Sequence, residues 1–332
     1  MIKYYLLILI AILSLTNCNL KREAIGAADE ITVITAEEHR APIKNILSEV
    51  FADTIYTPQP EPIYKLNFAN PIGYTELKRQ TNLIIGSIGA DETNLSTKLV
   101  KSLLGDELFE NTISGNQQII FSENQFNKNQ LFMIISGKNI EEIKSALSGK
   151  SEWIKSHFDE LFEKKQKKFL FGNDRQKNLT KHFLDKYGWQ MQIPWGWEVI
   201  KELPDSNFVW LGRELPYQWF SIHWEPGLVI EDSTAAVMYS KQFPSKYYKS
   251  IKYNNYKFSM EPVDFNNWLA WKSQGIWESN DEARGGPFLN YSLYDGVSDR
   301  TYNLNMLVFM PGKNKAIFMR QLDIIAHSFT VK

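Results

Sequence analysis

The chain has 332 residues, 43% hydrophobic and 23% charged, and its 37 basic and 38 acidic side chains leave a net charge of −1. That length holds two domains of ordinary size, and the charge balance gives no basic footprint for nucleic acid or for an anionic membrane surface. A single cysteine excludes an intramolecular disulfide, so stability has to come from packed cores.

After Met1-Ile2-Lys3, residues 4–15 (YYLLILIAILSL) contain nothing more polar than a hydroxyl. A run of about a dozen apolar residues is shorter than the ~20 that a helix needs to cross a bilayer. It therefore reads as a secretory signal rather than a permanent span. The run ends in Leu15-Thr16-Asn17-Cys18, which resembles the lipobox of bacterial lipoproteins, with Asn17 where that motif usually has Gly, Ala or Ser. The resemblance implies lipid attachment at Cys18, so that residues 1–18 form a lipoprotein signal and residues 19–30 (NLKREAIGAADE) a tether. No acidic cluster follows Cys18, and the expected location is the cell envelope, at the outer membrane facing the periplasm.

Further along, ITVIT (31–35) alternates as a strand, and RAPIKNILSEVF (40–51) places Ile43, Ile46, Leu47 and Val50 at helical spacing. TPQPEP (57–62) is stiffened by three prolines and reads as a connector or a partner-binding polyproline segment. Strands follow at IYKLNF (63–68), NLIIGSIG (82–89), QQIIFSE (117–123) and QLFMIIS (130–136), the last two flanking a turn. One long amphipathic helix is predicted from about Asn139 to Lys168, ending in a basic run whose Lys164, Lys165, Lys167 and Lys168 suit a solvated helix end. Within it, Ser148-Gly149-Lys150-Ser151 imitates the end of a phosphate-binding loop, but Lys144 stands where the first glycine belongs and no strand leads in. Gly172-Asn173-Asp174 breaks the pattern and sets the expected boundary between an N-terminal domain (31–172) and a C-terminal one (173–332).

Nine of the ten tryptophans lie beyond residue 188, where they serve either core packing or a glycan- or lipid-binding face. YGWQMQIPWGWEV (187–199) reads as strand, turn and strand, with Trp195 and Trp197 on one face if extended. Short strands at 208–214 and 219–226, a helix at 233–243 capped by Asp232 or Ser233, and strands at 267–278, 288–295 and 302–311 follow. A terminal helix at 315–329 presents Phe318, Leu322, Ile325 and Phe329 as one stripe. The fold class is α+β: two domains, each a mainly antiparallel sheet covered by helices.

The opening Tyr187-Gly188-Trp189 to Pro194-Trp195-Gly196-Trp197, the long final hairpin and the ending His327-Ser328-Phe329 resemble the PsbP-like fold. Five ordered segments, among them PQPEPIY (58–64), GIWE with GGPF (275–278, 285–288) and FMRQLDIIAHSF, resemble an uncharacterised lipoprotein family of the Bacteroidetes, a domain of unknown function. The resemblance implies a lipid-anchored envelope protein and brings no known activity.

No metalloprotease, nucleophile-elbow or dinucleotide motif is present, and His39, His157, His182, His223 and His327 are scattered with no pair at three or four residues. No metal or cofactor is expected, and His223 on WFSIHW reads as a packed or surface imidazole. The segment IWESNDEARGGPF (276–288) reads as a hairpin connection and candidate recognition loop, with Trp277, Glu278, Asp281, Glu282, Arg284, Gly285 and Gly286 as its site residues. The expected function is a non-enzymatic binding or assembly module whose partner is an envelope protein or glycan, with no role for nucleic acid. The competing readings are an envelope glycan or peptide hydrolase using the carboxylates near 278–284, which must straddle a cleft by about 5–9 Å, and a small-ligand or lipid carrier built on the tryptophans.

Overall fold

The computed structural model describes residues 21–55, 57, 59–173 and 175–332, so the signal segment and Cys18 lie outside the described residues. Among those described, no helix is long and apolar enough to cross a membrane. In chain order the elements begin with β1 (Glu30–Ile34), α1 (Glu37–Val50), β2 (Thr54–Ile55), β3 (Glu61–Pro62), β4 (Lys65–Ala69), α2 (Tyr74–Leu77) and β5 (Asn82–Ile88). Then come α3 (Leu95–Ile113), β6 (Ile119–Glu123), β7 (Leu131–Gly137), α4 (Ile140–Ser148), α5 (Ser151–Leu170) and α6 (Lys177–Tyr187). The remainder comprises β8 (Trp189–Gln190), β9 (Glu198–Leu203), β10 (Phe208–Arg213), β11 (Tyr217–Pro226), α7 (Ser233–Tyr247), β12 (Ile251–Phe265), β13 (Trp268–Ser279), β14 (Gly285–Asp295), β15 (Arg300–Phe309), α8 (Ala316–Ala326) and β16 (Thr330–Val331).

The chain divides into two compact α+β units. The first unites the described residues up to Val50 with Lys65–Leu161; the second unites Phe51–Tyr64 with Phe162–Lys332. The first unit's sheet has the order β4-β1-β5-β7-β6. Strand β1 pairs in parallel with both β4 and β5, and β5 pairs in parallel with β7, leaving β6–β7 as the antiparallel pairing. This corrects the expectation of a mainly antiparallel sheet. A helix inserted between strands, as α1 is between β1 and β4, returns the chain in the same direction. Strands covered on both faces read as continuous apolar runs, which NLIIGS and LFMIIS do; β5 is buried from Asn82 to Ser87 and β7 along its whole length. Ile34, Leu83, Ile85, Val100, Phe109, Phe132 and Ile134 form one core cluster, while the spacing of α1 buries Ile43, Ile46, Leu47 and Val50 as expected.

The single helix expected over 139–168 is two helices. Asn139 caps α4 by accepting from the Glu142 amide, and the Gly149 amide closes it on Ser145 and Leu147. Ser148-Gly149-Lys150-Ser151 is the joint before α5, with no strand feeding it.

The second unit contains a seven-stranded sheet of order β12-β13-β14-β15-β11-β10-β9, antiparallel throughout as expected. Its two faces are covered differently. One packs an apolar set, including Phe220, Ile222, Leu304 and Met306, towards α8, whose Leu322 and Ile325 are buried. Against the other lies α7, which packs on β12, β13 and β14.

The proline-rich segment belongs to this unit through its acidic residue. Glu61 accepts from the backbone amides of Lys315 and Ala316 and pairs with Lys315 Nζ at 2.7 Å, so it caps α8 from a remote part of the chain. Tyr64 Oη takes a hydrogen bond from Arg320, whose guanidinium lies 3.4 Å from the centroid of Phe162. Side-chain exposure at the Glu61–Lys315 pair is 12% and 13%, so removing one partner strands the other. Glu61→Ala is expected to lower stability by about 2 kcal/mol, and Glu61→Gln by less because its amide oxygen still caps α8, as read by urea denaturation.

Candidate functional site

The sequence-predicted loop is the β13–β14 hairpin. Trp277 stands opposite Gly286 and Glu278 opposite Gly285 in the ladder. Trp277 is 2% exposed and donates its indole Nε1–H across β14 to the Val308 carbonyl at 3.2 Å. A side chain at Gly286 would run into that same carbonyl, and one at Gly285 into the Trp277 carbonyl. The two glycines therefore let a large indole lie across its neighbouring strand. This gives Trp277, Gly285 and Gly286 a structural part in the hairpin.

The polar members of the loop serve the turn. Ser279 Oγ accepts from the amides of Asp281 and Glu282, Glu282 pairs with Arg284 at 2.8 Å, and Glu278 accepts from the Asn254 amide. Glu282 and Arg284 remain exposed.

A different set of polar residues converges beneath α7. Successive strands align Ser273, Asn290, Asn305 and Ser221 in one row across the sheet, and Ser292, Asn303 and His223 in the next. All seven are at most 2% exposed. Asn290 Nδ2 donates to Asn303 at 2.6 Å, Asn303 to Ser292 at 3.2 Å, and Ser273 bonds Ser240 of α7 at 2.7 Å. Asn305 accepts from Tyr248 at 3.0 Å and donates to Tyr253. Asp232 caps the covering helix by accepting from the Ala235 amide, one of the two residues expected to do so.

Where α7 ends, this seam opens into a cavity of about 560 Å³ whose lining includes His223, Glu225, Tyr247 and three lysines, Lys201, Lys246 and Lys249. His223 Nδ1 lies 2.9 Å from Tyr239 Oη, and its Nε2 lies 3.6 Å from Glu225, which pairs with Lys246 at 3.2 Å. Burial, with the Lys246 charge adding to it, pushes the imidazole down to about 3. Burial likewise pushes the Tyr239 phenol well above its ordinary range. The phenol thus keeps its proton, and because the Glu225 carboxylate faces Nε2 we assign the neutral ring as the Nε2–H tautomer, with Nδ1 accepting from Tyr239. A hydroxyl so firmly protonated is a poor nucleophile, and the Tyr239–His223–Glu225 chain orients a donor.

Other expected features separate. Trp195 is 73% exposed and Trp197 2%, because Gly196 between them takes φ +75° and turns the chain. His182, Lys186 and Tyr187 gather on Glu202; burial acts to raise this carboxyl, but their hydrogen bonds outweigh it and bring it to about 2. Among the described residues, no three His, Cys, Asp or Glu side chains form a group that would hold a metal ion. Sequence reading passed over Lys201, Lys246 and Lys249 because they come from a strand, a helix end and a loop.

Residues 176–328 match a domain of unknown function, DUF4837, and residues 24–170 match a second, DUF8532. Each half of the chain thus matches a domain family of unknown function. No curated protein matches. Solved structures with a likeness include the Ran-binding protein Mog1p of Saccharomyces cerevisiae (10% identity, TM-score 0.33, covering 43% of this chain and 90% of that one). Another is LpqN of Mycobacterium tuberculosis, involved in cell envelope biogenesis (12%, 0.29, 43% and 83%). A third is a protein of Bacteroides thetaiotaomicron (11%, 0.29, 44% and 46%). Likenesses this distant carry no function across.

Two outcomes follow from the geometry. Gly286→Ala directs a methyl group at strand backbone that cannot yield, and is expected to cost about 3 kcal/mol in chemical denaturation. For His223, the folded value of about 3 lies below the usual 6.5, so between these pH values the unfolded chain binds a proton that the folded chain refuses. Stability is then complete above about pH 6.5 and falls with pH by up to about 1.4 kcal/mol per unit. His223→Gln should remove from the unfolding linkage an uptake that grows from about half a proton at pH 6.5 to about one proton at pH 5.

Proposed function

We propose that this protein is a lipid-anchored component of the cell envelope, and that its second unit, read as PsbP-like, is a non-enzymatic binding module that receives its ligand in the His223 cavity. The observation behind the binding reading is the cavity itself. It has the volume of a small-molecule site, one buried imidazole at its floor, and a few convergent polar groups among the Leu203, Pro226 and Tyr247 walls. The anchor reading rests on Cys18 at the end of the apolar run and on the likeness to a Bacteroidetes lipoprotein family.

The hydrolase reading is less well supported. Its carboxylates Glu278, Asp281 and Glu282 share one turn, with Glu278 engaged by Asn254 and Glu282 by Arg284, whereas glycoside chemistry needs them across a cleft. A carrier role fits the cavity better than the tryptophans, since Trp189, Trp197, Trp224 and Trp277 are buried in the packing.

Cells fed labelled palmitate test the anchor. Wild type is expected to take up label and sediment with membranes, and Cys18→Ala to do neither; unlabelled wild type together with membrane-bound Cys18→Ala would refute it. Thermal shifts against envelope lipids, glycan fragments and phosphoesters test the binding module. Wild type should be stabilised by one class and Asn207→Trp, which puts a large side chain at a lining position, by none.

A further inference from the structure

The lining of the His223 cavity specifies more than that something binds there. Its cations are all lysines, and no arginine faces it. A guanidinium fork recognises carboxylate and phosphate alike, whereas ammonium groups act as point charges, and a cluster of them suits a phosphate approached from several sides.

The three ammonium groups are not equivalent. Lys246 is paired with Glu225, and there it also offsets the partial negative charge at the end of α7. Lys201, on the edge strand β9, and Lys249, just beyond α7, have no acidic partner within ion-pair distance among the described residues. With His223 neutral, three lysines face Asp205 and Glu225, leaving one net positive charge on the lining.

The floor adds a donor that needs an acceptor. His223 is 2% exposed, and its Nε2 at 3.6 Å from Glu225 is beyond hydrogen-bond reach. A ligand oxygen at the floor would accept this N–H, and the two uncommitted ammonium groups line the same cavity as counter-charges. The cavity, at about 560 Å³, leaves room for a small organic body against the ring of Tyr247, which is held by stacking on Phe208 at 4.5 Å.

We propose that this cavity binds a phosphate group, carried either by a soluble phosphoester or by a phospholipid headgroup, with Lys201 and Lys249 as its counter-charges and His223 Nε2–H as its orienting donor. The proposal rests on the binding-module reading and narrows it to one ligand chemistry. A net lining charge this small makes the interaction salt-sensitive, since both lysines stand at the solvent edge.

Calorimetry on the detergent-solubilised full chain tests it. The probes are inorganic phosphate, glycerol 3-phosphate and acetate, and short-chain phosphatidylglycerol against phosphatidylcholine in mixed micelles. Saturable binding of phosphate and glycerol 3-phosphate, weakened roughly tenfold or more in Lys201→Gln/Lys249→Gln, supports a soluble source. Binding of phosphatidylglycerol without the soluble probes, lost in the same variant, supports a headgroup. Phosphate binding that the double variant leaves unchanged, or acetate binding as tightly as phosphate, overturns the proposal. If a neutral glycan fragment binds instead and Asn207→Trp abolishes it, the phosphate assignment fails while the binding module stands; if no probe of any class binds, both fail.

Discussion

A side-chain amide buried without partners costs about 1–3 kcal/mol, and the second unit buries three side by side. Asn290, Asn303 and Asn305 are each at 0% exposure on the sheet face beneath α7. That constraint fixes what lies above and beside them. Ser240 of α7 has to meet Ser273, Tyr248 and Tyr253 have to close on Asn305, and Ser292 has to complete the Asn290–Asn303 pair. A network of this kind holds its members in one arrangement, because each partner lost leaves a desolvated group behind.

The cavity follows from the same arrangement. His223 stands in the row of Ser292 and Asn303, and its bond to Tyr239 of α7 continues the seam. There Tyr239, Phe243 and Tyr247 of α7 lie against the imidazole, which is 2% exposed, and the cavity opens beside it near the end of the helix. Among the described residues, the opposite face of the sheet, packed with apolar residues under α8, has no corresponding polar row. A cavity at the end of a buried polar seam inherits its rigidity, which would lower the cost of ordering it if a ligand bound.

Much of the architecture was legible in periodicity. The spacing of Ile43, Ile46, Leu47 and Val50 identified α1, and residues 302–311 read as the strand that is β15. Burial of its polar residues was not legible: Asn303 and Asn305 alternate with apolar neighbours as on a half-buried strand, and nothing local in the sequence announces that α7 returns to cover them. The direction of pairing in the first unit was hidden for a related reason, because a crossover helix and a long loop look alike until the second strand is placed. Trp277 and the Gly285-Gly286 pair, singled out in the sequence as part of a hairpin connection and candidate recognition loop, serve the packing of that hairpin. Their adjacency is a matter of register, and Val308, the acceptor they accommodate, is far along the chain.

The sequence by itself determined the α+β class, the antiparallel sheet of the second unit and most element positions. These depend on residues a few places apart, whose side-chain period reports the local backbone. Tertiary structure decided which polar residues are buried, that Glu61 caps α8, and that Lys201, Lys246, Lys249 and His223 share one cavity. Those facts depend on strand order and helix return, which bring together groups separated by tens to hundreds of residues and leave no periodic trace in the chain.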